Sequence, residues 1–362
     1  MNELMKKSET VTKPSSTAAE PCYILAIETS CDETSAAVIE NGTIIRSNIV
    51  SSQIETHRQF GGVVPEVASR KHVETITWII EEAMNKAELE LTDLSAIAVT
   101  QGPGLVGALL VGVMAGKSLA LALNLPLIGV HHIAGHIYAN KLEYEHKQAQ
   151  LTYPLLSLVV SGGHTELVFM EAEGLFRIVG QTRDDAAGEA YDKVARALGL
   201  PYPGGPHLDR LAMEADYATP LPRSWLDTDS YDFSFSGLKS AVLAVINQAK
   251  MKNLELNPGH VARGFQESVI DVVVEKAIRA VHNFGAKQLL LAGGVAANRG
   301  LRQRLVSRCE AAGIPLLIPP LSLCTDNAAM IGAAAFLKWE KQQFSSLELK
   351  AEPSLSLEEW SV

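Results

Sequence analysis

The sequence predicts an α/β protein built of two duplicated lobes that face each other across a cleft. Three observations carry this reading. A chain of 362 residues is too long for one ordinary core and suggests two domains of comparable size. An order of three strands followed by alternating helices and strands begins near residue 23 and begins again near residue 155. Glycine turns fall where strands end and helices start, the places from which backbone amides reach a phosphate.

Each element follows from its local pattern. Residues 23–28 are a short apolar run that reads as a buried strand. Residues 35–40 and 43–50 are two more, joined by Asn41-Gly42, the strongest short hairpin signal. A helix follows over about 65–87, then a strand at 96–100 that leads into Gly102-Pro103-Gly104. Residues 105–123 read as a buried helix, 127–130 as a buried strand and 132–140 as the start of another helix. The charged stretch 141–150 reads as a surface link, after which the order restarts with strands at 155–160, 166–171 and 176–182. Helices are expected near 188–198 and 206–215, an irregular excursion over 217–236, and helices at 237–250 and 258–283. A strand at 288–292, a helix at 298–312, a strand at 315–318 and a helix at 325–341 complete the pattern. The domains are therefore a disordered tail at 1–21, an N-terminal lobe at 22–145 and a C-terminal lobe at 146–324. A helix at 325–341 returns toward the first lobe, and a polar, frayed tail fills 342–362.

Composition bounds the function. Hydrophobic residues make up 47% and charged residues 20%, a balance that supports packed cores. The longest apolar stretch, 105–130, is interrupted by Lys117, Asn124 and Pro126, which argues against a membrane span. The first twenty residues lack both an apolar segment and arginine, so neither a secretory signal nor a transit peptide is expected. Cys22, Cys31, Cys309 and Cys324 form no C-x-x-C or zinc-finger spacing, which fits a reducing, cytoplasmic setting. The net charge of −10 argues against broad non-specific nucleic-acid binding. A nucleic-acid substrate would need a local basic patch or a partner protein.

The chemistry concentrates in a few motifs. In His132-Ile-Ala-Gly-His136 a helix would set two imidazoles on one face. Such a pair also lines ordinary surface helices; it becomes a metal site when a third ligand arrives from elsewhere. Asp326, in Cys324-Thr325-Asp326-Asn327, is the candidate, although Thr325 or Asp326 is also expected to cap the following helix. Two histidines, one carboxylate and open positions suit iron(II), with zinc as the competing ion. Val160-Ser161-Gly162-Gly163-His164 is either a plain hairpin turn or a cradle of amides for an anion. Ala292-Gly293-Gly294-Val295 leads to Asn298 at a helix start, where a nucleotide can approach the backbone; a tight turn with an Asn cap is the plainer alternative. Tyr202-Pro203-Gly204-Gly205-Pro206 leads into a helix bearing Asp209. In the acidic run 184–193 the first acids suit a helix dipole; Asp192, one to two turns in, is less easily explained that way, and a carboxylate facing the cleft could take the two hydroxyls of a ribose. In a duplicated-lobe fold the turn Glu28-Thr-Ser-Cys-Asp-Glu-Thr34 would face its hydroxyls and acids to the cleft; an ordinary polar turn is the plainer alternative.

Taken in order, these segments, together with Asp184-Asp-Ala-Ala-Gly-Glu-Ala-Tyr-Asp-Lys193 and Phe233-Ser-Phe-Ser-Gly-Leu-Lys239, resemble the tRNA N6-adenosine threonylcarbamoyltransferase family of the bacterial TsaD type. Its members were once called O-sialoglycoprotein endopeptidases. The resemblance spans about residues 22–339. It implies the actin, Hsp70 and sugar-kinase (ASKHA) fold and metal ligands at His132, His136 and Asp326. It also implies substrate contacts at Val160, Ser161, Gly162, Gly163, His164, Asp192, Gly205, Asp209 and Asn298. The implied cofactor is Fe(2+), and the implied reaction moves a threonylcarbamoyl group from threonylcarbamoyl-AMP to an adenosine beside the anticodon of tRNA. The implied partners are a second protein of similar fold (TsaB-like) and a small ATPase (TsaE-like). No general base is assigned. Two rivals remain at this point, a metal-dependent glycoprotein endopeptidase and a non-catalytic scaffold. Against the first, Ile133, Ala134 and Gly135 leave no glutamate between the histidines to serve as base.

Overall fold

The first sheet begins as an antiparallel meander, β1 (Tyr23–Glu28), β2 (Glu33–Glu40) and β3 (Ile44–Ser52). At the β2–β3 turn Asn41 and Gly42 both have positive φ (50° and 72°), as the expected Asn-Gly hairpin requires. A short helix that the pattern did not announce, α1 (Ile54–Arg58), precedes α2 (Pro65–Ala87). Then come β4 (Ala96–Gly102), α3 (Val106–Leu123), β5 (Leu127–His131) and α4 (His132–Tyr138). These coordinates are a computed structural model, which describes residues 20–145, 149–225 and 229–362. The tail expected at 1–21 thus lies outside the described residues up to residue 19, as does part of the expected surface link.

The second sheet repeats the plan. β6 (Leu155–Val160), β7 (Thr165–Met170) and β8 (Phe176–Gln181) form a second meander. Helices α5 (Ala187–Ala197), α6 (Gly204–Glu214), α7 (Ser236–Met251) and α8 (Pro258–Phe284) follow. β9 (Gln288–Ala292), α9 (Arg299–Ala312), β10 (Leu316–Leu317) and α10 (Ala328–Glu340) complete the order. The strand orders are β3-β2-β1-β4-β5 and β10-β9-β6-β7-β8, the same arrangement read in opposite directions. In each, the first strand of the meander pairs in parallel with the strand that follows the first long helix or helices. The duplicated α/β lobes of the expected fold are present.

Three apolar cores hold five layers together. One packs α2 and α3 on the outer face of the first sheet, and another packs α5 to α9 on the outer face of the second. The third lies between the sheets and takes side chains from α4, α10 and both inner sheet faces. All seven residues of α4 are buried, so it is a middle-layer helix rather than a surface one. α10 reaches the same layer through small side chains; a Cβ on Gly332 would stand 2.5 Å from Ile39. The helix α3 is long and apolar enough, by length and composition, to cross a membrane. Here Gly112 and Gly116 bring one face of it against Thr29 and Val99.

The chain end differs from the frayed tail expected at 342–362. It runs as a strap across both sheets. Ser345 N donates to Leu127 O at 2.7 Å, Glu352 N to Gln101 O at 2.8 Å, and Val362 N to Gly174 O at 2.9 Å. Leu357 and Trp360 are 2% and 3% exposed, and the Trp360 indole donates to Gly129 O at 2.9 Å. Two buried apolar anchors outweigh the polar residues between them, which is why the segment is ordered.

Candidate metal centre and nucleotide cleft

The carboxyl ends of β1, β4, β5, β6 and β9 converge on the middle layer, where ligands bind in open α/β sheets. β5 ends at His131, whose Nδ1 accepts from Ile133 N at 3.1 Å and so starts α4. Its other nitrogen donates to Leu355 O of the strap at 3.0 Å. One turn of helix then sets His132 and His136 together, ring centroids 4.6 Å apart and planes at 82°. Asp326 comes from the other end of the chain. The cap of α10 is Asn327, whose side chain accepts from Met330 N at 3.2 Å, and not Thr325 or Asp326 as expected. Moving the cap one residue on releases the Asp326 carboxylate toward the histidines. Its Oδ1 lies 3.1 Å from His136 Nε2 and 3.6 Å from His132 Nε2. One ligand atom from each of the three lies within 4.8 Å of the others.

This donor set fits a cation. Both ring nitrogens of His136 are buried without a hydrogen-bond partner among the described residues. The 3.1 Å approach to Asp326 therefore lacks the alignment of a hydrogen bond. Buried polar atoms left in this state are rare. Two atoms bound to one ion at about 2.1 Å each stand roughly 3 Å apart, so a shared ion accounts for the spacing.

Electrostatics agree. Burial alone would deprotonate His132, but Asp326 and Glu28 on either side hold its pKa up, to about 9. Burial raises Asp326, yet the two histidines override it and keep the carboxylate ionised, well below the usual range. His136 is pulled down by burial, and His164 is pulled down to about 4 by burial and the charge of His132. Glu33 is pushed well up by burial and by Asp32 and Asp326, which places this acidic turn near the centre.

The glycine turns stand beside it. Ser161 N donates to His164 O at 2.8 Å, closing the β6–β7 turn, and Gly188 N at the start of α5 donates to Ser161 O at 3.2 Å. Among the described residues the Gly162 and Gly163 amides have no protein acceptor, and a Cβ on either would meet nothing within 4 Å. Gly205 and Gly294 also face open space, whereas Gly293 presses on Val160 O. Asp192, the candidate for ribose hydroxyls, accepts from Gly204 N at 2.7 Å and Gly205 N at 3.3 Å and so fixes the start of α6. Asp209 receives Arg299 Nε at 2.9 Å and Gln266 Nε2 at 3.1 Å. Asn298 caps α9, accepting from Leu301 N at 2.8 Å, and donates to Gln266 Oε1 at 2.7 Å. The structure thus joins Asp209 and Asn298 through Gln266 and leaves the metal candidates in a separate cluster. Gln266 was not singled out in the sequence, because a polar residue inside a long, mostly buried helix gives no sign of where it points, and Arg299 is one of several arginines on the polar helix α9. Arg58 and Arg196 were likewise missed. Arg58 Nε donates to Tyr202 O at 3.2 Å and Arg196 donates to Gly61 O, so the loop after α1 bridges the two lobes.

Comparison with known proteins gives a consistent picture. The family model described as "TsaD: tRNA N6-adenosine threonylcarbamoyltransferase" matches residues 44–333. A Halalkalibacterium halodurans protein named tRNA N6-adenosine threonylcarbamoyltransferase is 63% identical over 335 residues, covering 92% of this chain and 96% of its own. A Geobacillus thermodenitrificans protein of the same name is 62% identical over 339 residues, covering 93% and 98%. Among solved structures, HypF from T. kodakarensis superposes with a TM-score of 0.58 at 15% identity, covering 92% of this chain and 50% of that one. The activator of the 2-hydroxyisocaproyl-CoA dehydratase from Clostridium difficile does so with a TM-score of 0.52 at 15% identity, covering 89% and 97%. At such identities these two speak for the fold alone.

Proposed function

The chain belongs to the tRNA N6-adenosine threonylcarbamoyltransferase family, and from that premise we propose how its cleft carries out the transfer. The protein forms N6-threonylcarbamoyladenosine in tRNA. The donor we assign is threonylcarbamoyl-AMP, and the acceptor is the adenosine beside the anticodon in tRNAs reading codons that begin with adenine. The N6 lone pair attacks the carbamoyl carbon of the mixed anhydride. A C–N bond forms, the bond to the phosphate oxygen breaks, AMP leaves with the electron pair, and the amine gives up a proton.

What supports this reading is the convergence of His132, His136 and Asp326 beside a turn whose amides stand free. These three would hold the ion, iron(II) before zinc on the donor set. A bound divalent ion supplies positive charge that orients the donor and polarises an oxygen. Gly162 and Gly163 present amides to an anionic oxygen without a side chain in the way. Ser161 and His164 close that turn and hold its shape, with His164 kept uncharged at neutral pH by burial. The open positions at Gly205 and Gly294 admit the adenylate close to the backbone, and Asn298 and Asp209 hold that wall through Gln266. Asp192 sets the position of Gly205.

The endopeptidase reading is not favoured. Glu28 sits at Nδ1 of His132, at the other ring nitrogen from the one facing Asp326, and no glutamate lies between the histidines. We also assign a cytoplasmic location and two protein partners. The exposed apolar residues Val73 and Trp78 on α2 and Leu110, Met114 and Leu121 on α3 suit cover by a protein of similar fold. The small ATPase is carried by family membership alone. The test is nucleoside mass spectrometry after incubating purified protein with threonylcarbamoyl-AMP and unmodified tRNA, with and without those partners. Threonylcarbamoyladenosine and an equal amount of AMP are expected, both lost in Asp326→Ala. A wild-type reaction without modified nucleoside, partners present, contradicts the assignment.

A further inference from the structure

A carboxylate stands behind the first histidine of the metal centre. Glu28, the last residue of β1, is fully buried, and its Oε2 lies 3.0 Å from His132 Nδ1. Thr100 Oγ1 on β4 donates to the same oxygen at 2.7 Å, and the Ser30 amide donates to Oε1. We propose that Glu28 is a positioning residue of this centre: it accepts the Nδ1 proton of His132 and so leaves Nε2, the nitrogen facing Asp326, as the atom that binds the ion. The inference rests on the metal-centre reading above.

Counting donors and acceptors carries the argument. An ionised carboxylate only accepts, a backbone amide only donates, and a neutral imidazole has one N–H. Two of the positions around Glu28 are taken by the Ser30 N–H and the Thr100 O–H, both donors. The third neighbour is His132 Nδ1, which therefore carries hydrogen when the ion occupies the other nitrogen. A carboxylate behind a ligating imidazole fixes its tautomer and ring orientation. Ser30 Oγ, 3.2 Å from the same nitrogen, can accept weakly but carries no charge. The fold delivers the parts reliably. Glu28 ends β1, Thr100 lies on β4, and His132 follows β5, three neighbouring strands of one sheet.

Glutamine is the informative replacement, because it keeps the shape and changes the pattern. Its NH2 must face a donor or face Nδ1, and in the second case the His132 proton moves to Nε2. Metal-stripped wild type, Glu28→Gln, Glu28→Asp and His132→Ala are titrated with Co2+ against a chelating indicator, with visible absorption bands and thermal melts recorded. Glu28→Gln is expected to weaken Co2+ binding about 10–100-fold and shift the bands, while its metal-free melt stays near wild type. Glu28→Asp, which still only accepts, should recover part of the loss. Wild-type affinity and bands in Glu28→Gln overturn the proposal and leave the metal centre standing. Wild-type protein that binds no Co2+ overturns both. Should Glu28→Gln fail to fold, imidazole 15N shifts of Zn2+-loaded wild type decide the matter. Hydrogen on Nδ1 of His132 is expected; hydrogen on Nε2 refutes the role.

Discussion

Single atoms separate the glycines that shape the chain from those that leave room for substrate. Gly293 has φ +91° and a Cβ there would stand 2.4 Å from Val160 O, so Gly293→Ala strains the backbone and clashes. We expect a loss on the order of 1–3 kcal/mol, read by denaturant unfolding. Gly163 faces open space, so Gly163→Val should melt like wild type yet raise KM for the adenylate donor tenfold or more, on the order of 1.4 kcal/mol of lost binding. Glu166 gives a pH signature. Burial raises its carboxyl to about 7, and its Oε2 has no hydrogen-bond partner among the described residues. The folded state therefore holds a proton that the unfolded state releases near the usual 4.5, and stability falls as pH rises from there through about 7. Glu166→Gln should raise Tm at pH 8 and hardly change it at pH 5; an equal change at both would place the carboxyl in water.

Elements came through the sequence unevenly, and for physical reasons. The meanders, the long helices and the His132/His136 pair were legible because apolar period and i,i+4 spacing are local properties. The third candidate ligand, Asp326, was named from its motif, but its release by an Asn327 cap was not, since Thr325, Asp326 and Asn327 are all good cap residues. β10 shrank to two residues because only Leu316 and Leu317 pair with β9. The strap over 342–362 was illegible because its anchors have no period of their own; their partners lie on strands hundreds of residues away. Those anchors make it a stabilising element. Trp360→Ala should cost about 3–5 kcal/mol in chemical denaturation. It should also loosen His131, which donates to Leu355 O of the same strap. A Trp360→Ala protein as stable as wild type would make the strap an ornament of the surface.

At the scale of the whole molecule, duplication builds the site. Two sheets of equal order turn the carboxyl ends of their central strands toward a shared middle layer, and α4 and α10 carry the metal candidates into it. Neither lobe holds the whole apparatus: the imidazoles follow β5, the free amides follow β6, and the carboxylate follows β10. Leu110, Met114 and Leu121 of α3 remain exposed, so Met114→Lys should leave Tm unchanged and abolish co-elution with a partner of similar fold. Retained co-elution would move that interface elsewhere. The central claim is that His132, His136 and Asp326 grip one ion. Anomalous diffraction from crystals of anaerobically purified protein, recorded on both sides of the iron and zinc absorption edges, tests it most directly. One peak about 2.1 Å from both imidazole Nε2 atoms and the Asp326 carboxylate is the predicted result. Well-ordered side chains at those positions with no anomalous peak between them would contradict it.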